Sequence, residues 1–172
     1  MLKKVLLEIL DYTKVIFFAV LAAMILKKTV VAGALVPTGS MEETVMAGSR
    51  IVINRLAYIA DEPQRGDIVS FYYPDDGETL YLKRVMGLPC ETIEGIGGYV
   101  YINGVKLEED FTSEVMISDF GPFTVPEDSY FMMGDNRNNS WDSRYWQDSY
   151  VEKEEIIGKA EFEYYPEIKV LE

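Results

Sequence analysis

"TLYLKRVM", residues 79–86, sets Tyr81, Lys83 and Val85 on one side of an extended chain and Leu82, Arg84 and Met86 on the other. A two-residue period of this kind governs most of the chain beyond Gly48. Arg50 to Leu56 (RIVINRL), Ile68 to Tyr73 (IVSFYY), Tyr99 to Ile102, Val105 to Leu107, Phe123 to Val125, Tyr130 to Met133 and Ile156 to Tyr165 all read as strands between Gly, Pro, Asn and Asp. Asn103-Gly104, between YVYI and VKLE, predicts a two-residue hairpin, because both central positions of that turn need positive φ. In the last long run Ala160, Phe162 and Tyr164 alternate with Lys159, Glu161 and Glu163, which predicts one dry and one wet face. The fold class that follows is mainly β, an antiparallel sheet domain.

The first thirty residues follow another rule. Val15 to Leu26 reads VIFFAVLAAMIL, twelve apolar residues without a charge. As a helix this run covers roughly 18 Å, less than the ~30 Å hydrocarbon core, but Lys14, Lys27 and Lys28 can snorkel and Val5 to Leu10 lengthens the apolar stretch. The reading is one transmembrane helix over about residues 5–27, dividing the chain into an anchor, residues 1–28, and a β-rich domain, residues 29–172. A competing reading is a cleaved signal peptide, since Ala32-Gly33-Ala34 has the small-x-small form, but Lys27 and Lys28 stand where such peptides are uncharged. A helix lying in the membrane surface is disfavoured because FFAVLAAMIL is apolar all round.

Composition removes several chemistries. The 172 residues contain no histidine, which excludes Ser-His-Asp triads and HExxH zinc sites, and Cys90 alone forms neither an internal disulfide nor a thiolate cluster. No residue pattern suggests a metal site or a cofactor. Residues 1–28 carry a net +3 against −13 for the whole chain, so the body is strongly acidic and repels phosphate backbones, which argues against nucleic acid as a partner.

Ser40 lies in VPTGSMEETV, residues 36–45, between a glycine and a methionine. As a nucleophile it needs a base, and without histidine the remaining candidate near neutrality is a lysine. An ordinary lysine is neutral only about once in 2,500 at pH 7, and surrounding carboxylates make that worse, so a basic lysine must be desolvated. Lys83 has apolar neighbours two residues away on both sides, whereas Lys106, Lys153, Lys159 and Lys169 stand beside acidic residues. Spacing alone still reads Lys83 as a snorkelling strand lysine and Ser40 as a polar loop residue.

Four segments connect the two. PTGSMEET (37–44), RGDIV (65–69), YLKRVMGLP (81–89) and GDNRNNSWDSR (134–144) occur in the order and style of the motif boxes of bacterial type I signal peptidases, which the chain resembles in their short form with one membrane helix. The resemblance implies Ser40 as nucleophile and Lys83 as general base. It implies an oxyanion hole from the Ser40 N–H and the Thr38 hydroxyl, Ser140 as the serine that orients the lysine, and Asp135, Asp142 and Arg144 as residues that shape the site. Without it, Arg65-Gly66-Asp67 is a turn into a strand, and Asp142 with Arg144 a surface pair. Three positions depart from the family pattern: Glu43 stands for proline, Thr38 for serine, and Cys90 for glycine, where a positive φ would strain it.

The function implied is removal of signal peptides from secretory preproteins at the outer face of the cytoplasmic membrane, by a domain tethered to the lipid bilayer and without a cofactor. The substrate is expected to lie as a strand beside Val31 to Pro37, with Val31, Leu35, Val36 and Pro37 in contact, and the resemblance implies two alanine-sized residues at alternate positions before the scissile bond, an Ala-x-Ala pattern. Two alternatives fit the same residues: a related serine-lysine peptidase that matures a specialised substrate, and a membrane-tethered β domain without activity.

Overall fold

A computed structural model describes residues 2–112 and 114–171. It opens with α1 (Leu2–Thr29), 28 residues long, and continues as twelve strands. These are β1 (Val31–Leu35), β2 (Arg50–Asn54), β3 (Ile68–Tyr72), β4 (Leu80–Gly87), β5 (Thr92–Ile96), β6 (Tyr99–Ile102), β7 (Val105–Lys106), β8 (Phe120–Thr124), β9 (Ser129–Met133), β10 (Val151–Glu152), β11 (Ile156–Tyr165) and β12 (Lys169–Val170). The larger sheet runs β1-β2-β11-β3-β4-β9-β10, with β12 paired on β11, and the smaller runs β7-β6-β5-β8. Every pairing is antiparallel, as the alternating sequence predicts.

Three apolar clusters hold the site in place. Met41 and Val45, just after Ser40, are fully buried against Ile51, Ile53, Ile68 and Ala160, so the serine loop is fastened to the sheet on its C-terminal side. Val69, Phe71, Val85, Tyr130, Met132 and Trp146 pack on the other side of β3 and β4. Met86, Ile93, Val100, Phe131 and Met133 join the two sheets. Because β4 contributes to both of the last two clusters, the strand carrying Lys83 is wedged between cores on its two faces.

Most predicted strands form within a residue or two. Asn103 and Gly104 have φ of +51° and +77° and join Ile102 to Val105, as their sequence requires. Arg65-Gly66-Asp67 is a turn, with Gly66 at φ +96° and the Asp67 carboxylate receiving Lys159 at 2.5 Å. Four strands escape the alternation rule: β1, β5, β10 and β12. The centre of β1, Ala32-Gly33-Ala34, is built of residues with little preference for strands, and pairing with β2 over the full register from Val31↔Asn54 to Leu35↔Arg50 overrides that deficit.

Two expectations need correction. In β11 the wet and dry faces do not hold: Glu163 is buried, while Phe162 and Tyr164 are exposed. Register shifts at Ala160/Phe162 and Glu163/Tyr165 add residues to the strand and turn its side chains over. Ser49 Oγ at 2.6 Å and Lys169 Nζ at 3.1 Å satisfy the Glu163 carboxylate. The second concerns the anchor. Among the described residues no helix is long and apolar enough to cross a membrane. The uninterrupted apolar run is only Val15 to Leu26, with Asp11 and Lys14 before it and Lys27 and Lys28 after it. The small-x-small triplet Ala32-Gly33-Ala34 lies inside β1, so a cut there would strip the edge strand from the sheet.

Cys90 has φ +66°, in the left-handed region where a side chain costs about 1 kcal/mol or more. Cys90→Gly is expected to raise stability by about 1 kcal/mol, read as a melting temperature several degrees higher; an unchanged or lower value would mean that the strain is relieved elsewhere.

Candidate active site

The serine loop leaves β1 at Val36, whose N–H donates to the Ser49 carbonyl and whose carbonyl accepts from Gly48. Ser40 then lies at the start of a tight turn closed by Val45 N–H on the Met41 carbonyl at 2.7 Å. A second loop, from Gly134 to Arg144, is laid against it. Asn136 donates from its backbone to the Ser40 carbonyl at 3.2 Å and from its side chain to the Gly39 carbonyl at 3.0 Å. Gly134 permits this approach, since a Cβ there would collide with the Ser40 carbonyl and with Ser140.

Lys83 reaches this junction from β4, with Nζ 2.5 Å from Ser40 Oγ. At that separation an ammonium donates to the hydroxyl oxygen, and a neutral amine instead accepts the hydroxyl proton. Lys83 is only 4% exposed, and burial, the largest cause, lowers its pKa from 10.5 to about 8. Near neutrality about one molecule in ten then carries the free amine, against one in 2,500 for a solvated lysine.

The acidic body does not undo this, because the nearest carboxylates are already committed. Asp142 is gripped by Arg144 through Nε at 2.7 Å and Nη2 at 2.8 Å, and also accepts from the Gly134 N–H at 3.0 Å. Asp135 is gripped by Arg84 through Nε at 2.9 Å and Nη2 at 2.8 Å, and accepts from Thr44 Oγ1 at 2.5 Å. Asp142 and Asp135 raise the Lys83 pKa while Arg144 lowers it, so the charges largely oppose one another and desolvation wins. Asp142 and Arg144, readable from sequence as a surface pair, are both buried. Thr44 and Asp135 also tie the serine loop to the strand next to Lys83, because Arg84 follows it directly.

Other predicted residues divide. Thr38, Leu35, Val36, Pro37 and Ser140 line the same cleft of about 990 Å³ as Ser40 and Lys83, although the Val36 side chain is turned into the core. Val31 is not in that lining; it sits at the far end of β1, opposite Asn54. Ser140 Oγ is buried without a hydrogen-bond partner among the described residues, so the expected bond to Lys83 is not made. The Lys83 amine is engaged with Ser40 instead. Sequence reasoning missed Arg84, Thr44 and Asn136, and also the buried Arg137, which Glu109 grips through both carboxylate oxygens. Their partners are tens of residues away, so no local pattern marks them.

A serine hydroxyl in contact with a buried amine, on the wall of an open cleft beside an unpaired strand edge, is an arrangement suited to attack on an extended peptide, and the class is serine endopeptidase. The family described as "Signal peptidase, peptidase S26" matches residues 9–165. Signal peptidase I S of Bacillus subtilis (strain 168) is 34% identical over 170 residues, 92% of this chain and 90% of its own. Probable signal peptidase I-2 of Synechocystis sp. is 34% identical over 162 residues, 91% of this chain and 73% of its own. A crystal structure of a signal peptidase I from Enterococcus faecalis is 37% identical, with a TM-score of 0.50, covering 58% of this chain and 97% of the solved one. The chain belongs to the signal peptidase family, peptidase S26.

Proposed function

We propose that the protein removes signal peptides from secretory preproteins with a Ser40–Lys83 dyad, at the outer face of the membrane that holds it. The observation that carries the reading is the 2.5 Å approach of Lys83 Nζ to Ser40 Oγ at a lysine whose pKa burial has lowered. Neutral Lys83 takes the hydroxyl proton as Oγ attacks the scissile carbonyl, and the protonated amine then supplies the proton of the leaving amine. The acyl-enzyme is released when Lys83, neutral again, deprotonates a water. The Ser40 N–H and the Thr38 hydroxyl stabilise the oxyanion. Ser140 Oγ, lining the same cleft, is available to the lysine once its proton has moved. Asp135, Asp142 and Arg144 shape the site by neutralising charge around Lys83.

The substrate adds a strand to the open edge of β1. Val36 spends both backbone groups on Gly48 and Ser49, so alternation leaves Gly33, Leu35 and the Pro37 carbonyl facing the cleft. Residues 29–172 form the peptidase domain, and residues 1–28 hold it at the bilayer. Exposed Val15, Ile16, Phe17, Phe18, Val20 and Leu21, next to one another on α1, favour an apolar surround.

The test is a purified secretory precursor with detergent-solubilised enzyme. Cleavage after a small residue is expected, and Ser40→Ala is expected to stop it without lowering the melting temperature; cleavage that persists in Ser40→Ala removes the dyad. Alkaline carbonate extraction of membranes tests the anchor, and release of the chain into the supernatant would sink that part.

A further inference from the structure

The wall of the cleft built by residues 138–145 carries two aromatic rings that the reaction above does not use. Trp141 and Tyr145 line the cleft with Ser140, and both remain substantially exposed, Trp141 at 55% and Tyr145 at 44%. Their rings stack with centroids 5.6 Å apart and planes 15° from parallel. Each is tethered at its polar end. Trp141 Nε1 donates to Tyr73 Oη at 3.3 Å, beside the β3–β4 turn, and Tyr145 Oη lies 3.3 Å from Ser118 Oγ. With the polar atoms engaged, what the pair offers the cleft is apolar ring surface in a fixed orientation, and fixed aromatic surface in a cleft favours another flat or apolar group at little entropic cost.

Resting on the reading of the cleft as a precursor site, we propose that Trp141 and Tyr145 form a specificity subsite for an aromatic or large apolar side chain next to the scissile bond. Side chains of an extended strand alternate between its two faces. Small residues before the bond turn toward the sheet, where the cleft is lined by Ile51, Ser70 and Leu82. A residue turned toward the 138–145 wall therefore has the opposite parity. It is the one between the two small residues, or the one just after the bond.

The experiment uses a secretory precursor with each of these two positions changed in turn to Ala, Lys, Leu, Phe or Trp, and measures kcat/KM with the full-length enzyme in detergent. Phe or Trp is expected to exceed Ala by about tenfold at one of the two positions, mainly through KM. Trp141→Ser is expected to bring that ratio close to one, Trp141→Phe to keep most of it, and both variants are checked by melting temperature. A ratio that survives in a folded Trp141→Ser, or wild-type enzyme that cuts the alanine precursor with no aromatic preference at either position, overturns the subsite while leaving the proposed function standing. Failure to cut any of these precursors would count against the proposed function itself, and the subsite would fall with it.

Discussion

Lys83→Met is expected to give a folded protein that is more stable than the parent and cleaves precursors at least a thousandfold more slowly. Methionine matches the lysine stem in length and removes the amine that burial disfavours. Losing a general base of this kind costs about two to four orders of magnitude in rate, and here the same amine serves both half-reactions. The stability gain follows from linkage. The Lys83 pKa falls from 10.5 to about 8 on folding, equivalent to about 3 kcal/mol. Between pH 8 and 10.5 the unfolded chain binds more protons than the folded one, so the parent gains stability as pH rises through that window. The penalty is complete below about pH 8. Denaturant titrations of parent and variant should therefore differ by a few kcal/mol at pH 7 and converge toward pH 10.5. In the parent, kcat/KM should rise tenfold per pH unit up to about pH 8 and then level. An acid limb bending near 10, or a variant less stable at pH 7, would contradict a buried amine poised in this way.

Asp135→Ala is expected to cost about 3–5 kcal/mol, because it strands the Arg84 guanidinium, 1% exposed, without its carboxylate. The same change frees Thr44 from its 2.5 Å bond and loosens the serine loop from β4, so the residual activity of the folded fraction should fall as well. The paired replacement Arg84→Met with Asp135→Leu removes both charges of this buried pair and should recover most of the stability. It does not restore the Thr44 tether, so activity should stay low. Equal loss of stability in the single and double variants would show that packing, and not the charge left without its carboxylate, sets the cost.

Both predictions rest on contacts of different legibility. Lys83 stood out because it is a charge on a strand face otherwise apolar, a pattern visible within eight residues. That its amine meets Ser40, 43 residues earlier, was suggested by the ordered motifs and is reported only by the fold. Alternation placed Arg84 only on the opposite side of the strand from Lys83, with Leu82 and Met86, and gave no sign that it is among the most buried side chains in the protein, where Asp135 comes to it from a loop 51 residues later. The alternation of β11 failed for a related reason. A bulge between Ala160 and Phe162, which period-two reasoning does not contain, brings Glu163 inward to Ser49.

Residue type and near-neighbour spacing account for the strand-rich class, the turn at Asn103-Gly104 and the exclusion of histidine chemistry, whereas the pairing of Ser40 with Lys83 came from the resemblance carried by four ordered motifs. The tertiary structure decided which carboxylates are neutralised, whether the lysine is dry, and where the edge of β1 and the Trp141–Tyr145 pair stand along the cleft. Those are matters of distance between segments remote in the chain, and electrostatic energy in a dry site depends on just those distances.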